Sequence, residues 1–125
     1  MAQAGGYDHI DFRVRDVKKV ARFFDALMPA LGFTRINKGE RSRSYYNEDR
    51  RLPFFWVVQA RKSTPGLARV AFAAPTPKDV DRIAKVARRA GAQEIWGPER
   101  CYAQPYYAVF FEDPEGNRFE VCCRR

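Results

Sequence analysis

The chain contains one histidine among its 125 residues, so any imidazole chemistry rests on His9 alone. Cysteine is scarce too: Cys101, Cys122 and Cys123 are the three present. None has a C-x-x-C spacing, which excludes the usual zinc-binding patterns. Cys122 and Cys123 are adjacent and would face opposite sides of a strand, so reduced thiols in a reducing compartment are expected. No window approaches about 18 uninterrupted apolar residues, which leaves no candidate transmembrane helix. The first six residues have neither a basic stretch nor an apolar core. No secretory signal is therefore read there, and a cytoplasmic location is expected. Acidic residues are outnumbered 15 to 23, giving a net charge of +8 that favours anionic ligands. The basic residues are scattered, however, and no nucleic-acid motif accompanies them. A solvated basic surface, with no specific nucleic-acid partner and no membrane association, is the expectation.

What the chain does have is a long internal repeat. His9-Ile10-Asp11-Phe12-Arg13-Val14 is followed by Asp16-Val17 and an apolar-periodic run ending at Leu31-Gly32. Arg69-Val70-Ala71-Phe72-Ala73-Ala74 is followed by Asp79-Val80 and a second run ending at Ala90-Gly91. The repeat sets His9 against Arg69. Length predicts one domain, residues 1–125, with a first module over about 7–61 and a second over about 67–125.

Alternation predicts a strand over 7–14, with Ile10, Phe12 and Val14 on one face and His9, Asp11 and Arg13 on the other. Asp16 is placed to cap a helix whose stripe is Val17, Val20, Phe23 or Phe24, Leu27 and Leu31. Gly32 is the expected C′ residue, and Pro29 predicts a kink or an early stop in the last turn. Strands are predicted over 33–37, 43–47 and 54–59, then a Ser/Thr/Pro/Gly linker over 62–66. The second module repeats the order. It has a strand over 68–74, a helix opened by Thr76-Pro77 and closed by Gly91, and strands over 93–96, 106–111 and 118–123. Asp113-Pro114-Glu115-Gly116-Asn117 has turn chemistry throughout. The fold class is α+β: two βαβββ modules whose non-helical faces curl into an incomplete barrel around a cavity.

This order resembles the vicinal oxygen chelate superfamily, which includes glyoxalase I, extradiol dioxygenases, fosfomycin-modifying enzymes and bleomycin-binding proteins. The resemblance rests on Asp8-His9-Ile10, on Phe23-Phe24 through Leu31-Gly32-Phe33, on Val70-Ala71-Phe72, and on the ending Asp113-Pro114-Glu115-Gly116-Asn117-Arg118-Phe119-Glu120. It implies a glyoxalase/dioxygenase-like protein that acts on or binds a small oxygen-rich, anionic or aromatic metabolite, and a homodimer with sites that relatives can share between chains. As an enzyme it would be a lyase or dioxygenase; the alternative is a non-catalytic, sequestering protein of the bleomycin-resistance type. Those relatives hold a cationic drug, which a +8 chain suits poorly.

In the superfamily's metal enzymes, ligands stand on the first, fourth, fifth and eighth strands. His9 and Glu120 match ligand positions, and Gln59 is the fourth-strand candidate. Such donors suit Fe, Mn, Zn or Ni. Arg69 occupies the place of the second His. A guanidinium has no lone pair to donate and repels a dication, so the balance of donors is against a metal. An Arg69–Glu120 pair would fill the site instead. The resemblance thus implies His9 and Glu120 as catalytic residues or ligands, and Arg69, Arg13, Trp56, Tyr106 and Tyr107 as contacts to the small molecule. Tyr45, Tyr46, Trp96 and Tyr102 are further aromatics near the expected mouth. Cys101, beside Arg100, is a weaker candidate for a reactive thiol.

Overall fold

Two capped helices organise the chain, in a computed structural model that describes residues 4–100 and 105–125. The first module runs β1 (His9–Val14), α1 (Val17–Ala30), β2 (Arg35–Lys38), β3 (Ser42–Tyr46) and β4 (Phe54–Gln59). The second runs β5 (Arg69–Ala73), α2 (Pro77–Ala90), β6 (Gln93–Arg100), β7 (Tyr107–Glu112) and β8 (Arg118–Cys123). Each module forms a four-stranded sheet, ordered β1-β4-β3-β2 and β5-β8-β7-β6. In both, the first strand lies parallel to the last, and the other neighbours are antiparallel. The repeat in the sequence is therefore a repeat in structure. No described helix is long and apolar enough to cross a membrane.

Local chemistry sets the helix ends. The Asp16 carboxylate accepts from the Lys19 amide at 3.3 Å, and the Thr76 hydroxyl oxygen accepts from the Asp79 amide at 3.2 Å. Pro77 opens α2 where its missing N–H costs nothing. Helix α1 passes Pro29 and ends at Ala30, so the proline marks the last turn. The chain leaves through Gly32 at φ +103°, a conformation that suits glycine. Strand β6 is longer than the alternation predicts. It continues through Gly97-Pro98 to Arg100, with two register shifts against β7. Irregular pairing of that kind erases the period-2 signal.

The apolar faces of both sheets turn toward one core, together with the inner stripes of both helices. Phe119 of β8 is fully buried at its centre. Its ring lies 5.0 Å from Phe12 of β1, 5.8 Å from Phe24 of α1, 6.2 Å from Phe72 of β5 and 6.0 Å from Phe111 of β7. Those contacts join the modules through ring packing. A polar clasp adds to them. The Asp113 carboxylate accepts from the amides of Glu115 and Asn117, both at 2.9 Å, and so holds the turn before β8. That turn presents the Glu115 carboxylate to the Arg15 and Asp16 amides, at 2.6 and 2.8 Å. The second module thereby fixes the start of α1 in the first.

Phe119→Ala is expected to lower the unfolding free energy by about 3–5 kcal/mol, because it empties the point where both sheets meet. Urea denaturation followed by circular dichroism measures this. A loss below about 1 kcal/mol would mean that the modules are not joined there.

Candidate functional site

Since the apolar faces share one core, strand alternation turns the polar faces outward, away from each other. Sheet one presents His9, Asp11 and Arg13 from β1 and Phe54 and Trp56 from β4. Sheet two presents Arg69 and Ala71 from β5, Arg118, Glu120 and Cys122 from β8, and Phe110 and Glu112 from β7. Within one chain the expected cavity between the sheets is split into two separate surfaces.

The surface of sheet two is the more elaborate. Arg69, Trp96, Phe110, Glu112 and Arg118 line a concavity of about 190 Å³. The Arg69 guanidinium lies 5.0 Å from the centre of the Phe110 ring, a cation–π arrangement. Beside it, Glu120 is almost fully buried, and the Tyr106 hydroxyl donates to its carboxylate. Burial, then that hydrogen bond, holds the Tyr106 phenol well above its usual pKa, so it serves as a donor. The Cys122 thiol borders both groups, and burial raises its pKa as well. It is therefore a poor thiolate nucleophile. The expected Arg69–Glu120 pair does not form. Tyr106 occupies Glu120, and Phe110 carries Arg69.

Sheet one carries a ladder of stacked rings. His9 lies 4.7 Å from Phe54, and Phe54 lies 4.7 Å from Tyr46. Trp56, Phe54 and Tyr46 line a shallow concavity of about 370 Å³ with Ser42, Ser44 and Asn37. His9 Nδ1 is 2.7 Å from the Asp8 carboxylate, and Nε2 is 3.3 Å from that of Asp11. The Asp8 hydrogen bond, with the charges of Asp11 and Asp8, raises the His9 pKa above 6.5.

Two residues predicted for the site, and one aromatic expected near its mouth, lie away from both surfaces. Gln59 shares the core-side face of β4 with Phe55 and Val57, and its Oε1 accepts from the Val17 amide at 3.1 Å. Tyr107 faces α2 and donates to Asp81 at 2.6 Å. Tyr45 is buried and donates to Asp25 at 2.8 Å. Arg13 and Trp56 lie with His9; Tyr106 and Arg69 lie with Glu120. Cys101 and Tyr102 fall outside the described residues. Sequence reasoning missed Phe110 and Glu112. The register pairing Phe110 with Glu120 and Glu112 with Arg118 is the signal that places them on this face.

The donor set does not fit the metal of the superfamily's metalloenzymes. Arg69, expected at a ligand position, has no lone pair, Gln59 is turned inward, and Glu120 is engaged by Tyr106. Among the described residues, no group of three His, Cys, Asp or Glu side chains could hold an ion.

The family model of the Glyoxalase/Bleomycin resistance protein/Dioxygenase superfamily matches residues 6–121, and the chain belongs to that superfamily. Solved structures agree in fold. A glyoxalase/bleomycin resistance protein from Albidiferax ferrireducens T118 is 21% identical with a TM-score of 0.81, over 95% of this chain and 98% of that one. The fosfomycin resistance protein FosX from Mesorhizobium loti is 19% identical with a TM-score of 0.70, over 97% and 93%. A glyoxalase/bleomycin resistance protein/dioxygenase family enzyme from Burkholderia phytofirmans PsJN is 15% identical with a TM-score of 0.74, over 97% and 100%. At these identities the likeness establishes the shared architecture. A comparison with curated proteins finds no match.

The lone imidazole gives a clean titration. His9 is expected to titrate above 6.5 by proton NMR and to fall toward that value in Asp8→Asn. Because the folded-state pKa is the higher one, the pairing supports the fold fully below pH about 6.5 and is lost as pH rises through the raised value. An unchanged His9 titration in Asp8→Asn would refute the assignment.

Proposed function

We propose that this superfamily member binds a small anionic metabolite with a flat, apolar portion, and does so without a metal. The observation that carries the reading is Arg69. It stands in a ligand position of the superfamily's metal site, yet lies over Phe110 in a concavity shared with Trp96 and Arg118. Two guanidinium groups can take a carboxylate or similar oxyanion through paired N–H donors, while Trp96 and Phe110 offer ring faces to the remainder. Ala71 adds no bulk beside Glu120, its register partner across β5 and β8. Tyr106 offers a phenol held in its donor state.

The same reading assigns the His9 surface to a second copy of the chain. Trp56 and Trp96 are 37% and 52% exposed, one on each outward surface. Large exposed rings on two polar faces suit a homodimer in which sheet one of one chain covers sheet two of the other. Each site would then combine Arg69, Glu120 and Tyr106 of one chain with His9, Arg13 and Trp56 of its partner copy. Even joined, His9 and Glu120 supply only two of the donors that a divalent ion needs. The pairing of His9 with Asp8 and Asp11 also favours a second reading. In it the imidazole moves a proton on the bound metabolite, and the protein is an enzyme of lyase type. A dioxygenase would require the metal whose ligand position Arg69 fills.

Tryptophan fluorescence titrated with benzoate and with acetate tests the proposal. Benzoate is expected to bind the more tightly, without added metal. Arg69→Gln or Arg118→Gln should weaken it roughly ten- to a hundredfold, as loss of a charged hydrogen bond of about 1.5–3 kcal/mol implies. Stoichiometric binding of Fe²⁺, Mn²⁺, Zn²⁺ or Ni²⁺ that disappears in Glu120→Gln would contradict the metal-free reading. Loss of turnover in His9→Gln with ligand affinity intact would support the enzyme reading; a retained rate would remove His9 from the chemistry.

A further inference from the structure

Away from both outward surfaces, the end of sheet one beside the start of α1 holds a different kind of cavity, of about 320 Å³. Four basic side chains line it, each from a separate segment: Arg15 between β1 and α1, Lys18 in the first turn of α1, Arg41 between β2 and β3, and Arg61 just after β4. Two carboxylates share the rim, Asp16 and Glu40. Asp16 is already engaged as the helix cap, and nearby Glu115 is engaged by the Arg15 and Asp16 amides. Those amide hydrogen bonds do not remove the carboxylate charges, so four cations face the two negative charges of Asp16 and Glu40, with Glu115 just beyond the rim.

Some basic residues elsewhere have partners of their own, and others point singly into solvent rather than into a shared concavity. Arg51 pairs with Asp49, Arg82 with Asp79 and Arg43 with Asp25, while Arg100 donates to the Arg125 carbonyl. Among the described residues, no ion pair or side-chain hydrogen bond engages Arg15, Lys18, Arg41 or Arg61. Acidic residues are favoured in a first turn, where the helix dipole is positive, and α2 has Asp79 there. The first turn of α1 has no acidic residue and carries Lys18. Four like charges drawn into one concavity repel one another, and a polyvalent anion removes that repulsion. The volume is at the lower end of small-molecule sites, roughly 300–1,000 Å³.

We propose that this cavity is a second ligand site, which takes an oligophosphate: two or more linked phosphates, free or as part of a larger metabolite. Guanidinium forks suit phosphate oxygens, and Lys18 acts as a point charge beside them. One phosphate could satisfy two of the four cations, so a linked chain should bind better than orthophosphate. The site is independent of the Arg69 surface and survives if the anion proposed there proves wrong.

Calorimetric titration of the whole protein with tripolyphosphate, orthophosphate and a short single-stranded oligonucleotide tests this. Saturable binding of one tripolyphosphate per chain is expected, at least tenfold tighter than orthophosphate. Arg41→Gln with Arg61→Gln should weaken it tenfold or more, and Lys18→Gln alone should weaken it several-fold. The control Lys85→Gln with Arg88→Gln removes the same charge from the exposed face of α2 and should leave affinity unchanged. Arg69→Gln should leave it unchanged as well. The proposal is overturned if the control matches the Arg41/Arg61 pair, if Arg69→Gln abolishes binding, or if the oligonucleotide binds more tightly per phosphate than tripolyphosphate. Circular dichroism confirms that each variant is folded. Should the Arg41/Arg61 variant unfold, Lys18→Gln and Arg15→Gln carry the test, and unchanged affinity in both overturns it.

Discussion

Phe119 is in ring contact with residues of both sheets and of α1, and most of the architecture follows from that packing. A sheet with one apolar face must bury it. Here both sheets bury theirs against the same ring cluster, with α1 and α2 completing the enclosure. Once that is settled, alternation leaves no choice about the other faces. His9 must look out from one side of the chain, and Glu120 and Arg69 from another. The clasp of Glu115 on the Arg15 and Asp16 amides holds the same arrangement from the polar side.

The proposed chemistry of the outward surfaces turns on Arg69, a guanidinium read as standing where the superfamily's metal enzymes would carry imidazole. Imidazole can donate a lone pair to a cation; guanidinium can only donate hydrogen bonds to an anion. The neighbours of Arg69 are consistent with that inversion. Glu120 takes a hydrogen bond from Tyr106, and Phe110 supports the arginine by its ring face. On the proposed reading, a surface so arranged favours an anion over a cation.

Much of the fold was legible in the sequence, for identifiable reasons. The caps at Asp16 and Thr76, the terminating glycines Gly32 and Gly91 and the alternation of β1, β5 and β8 are local, and local chemistry determined them. His9 and Glu120 were correctly placed on the non-helical faces of their strands. Less legible was anything set by distant partners. Gln59 ends β4, and one position of register decides whether it faces His9 or the Val17 amide. Tyr107 and Tyr106 are adjacent, so alternation sends one to Asp81 and the other to Glu120. From sequence, the two polar faces are expected to curl together around one cavity, whereas within a chain they turn outward from the shared core. That depends on how sheets dock, and no periodicity records it.

The central claim is that each chain holds two half-sites facing apart, joined by a second copy. Sedimentation velocity of the wild type and of Trp56→Asp, with benzoate affinity measured on the same samples, tests it most directly. The account predicts a wild-type particle with the mass of two chains. It predicts a Trp56→Asp monomer that has also lost the ligand, although Trp56 lies on the opposite surface from Arg69. A wild-type monomer that binds benzoate as tightly as Trp56→Asp does would contradict it.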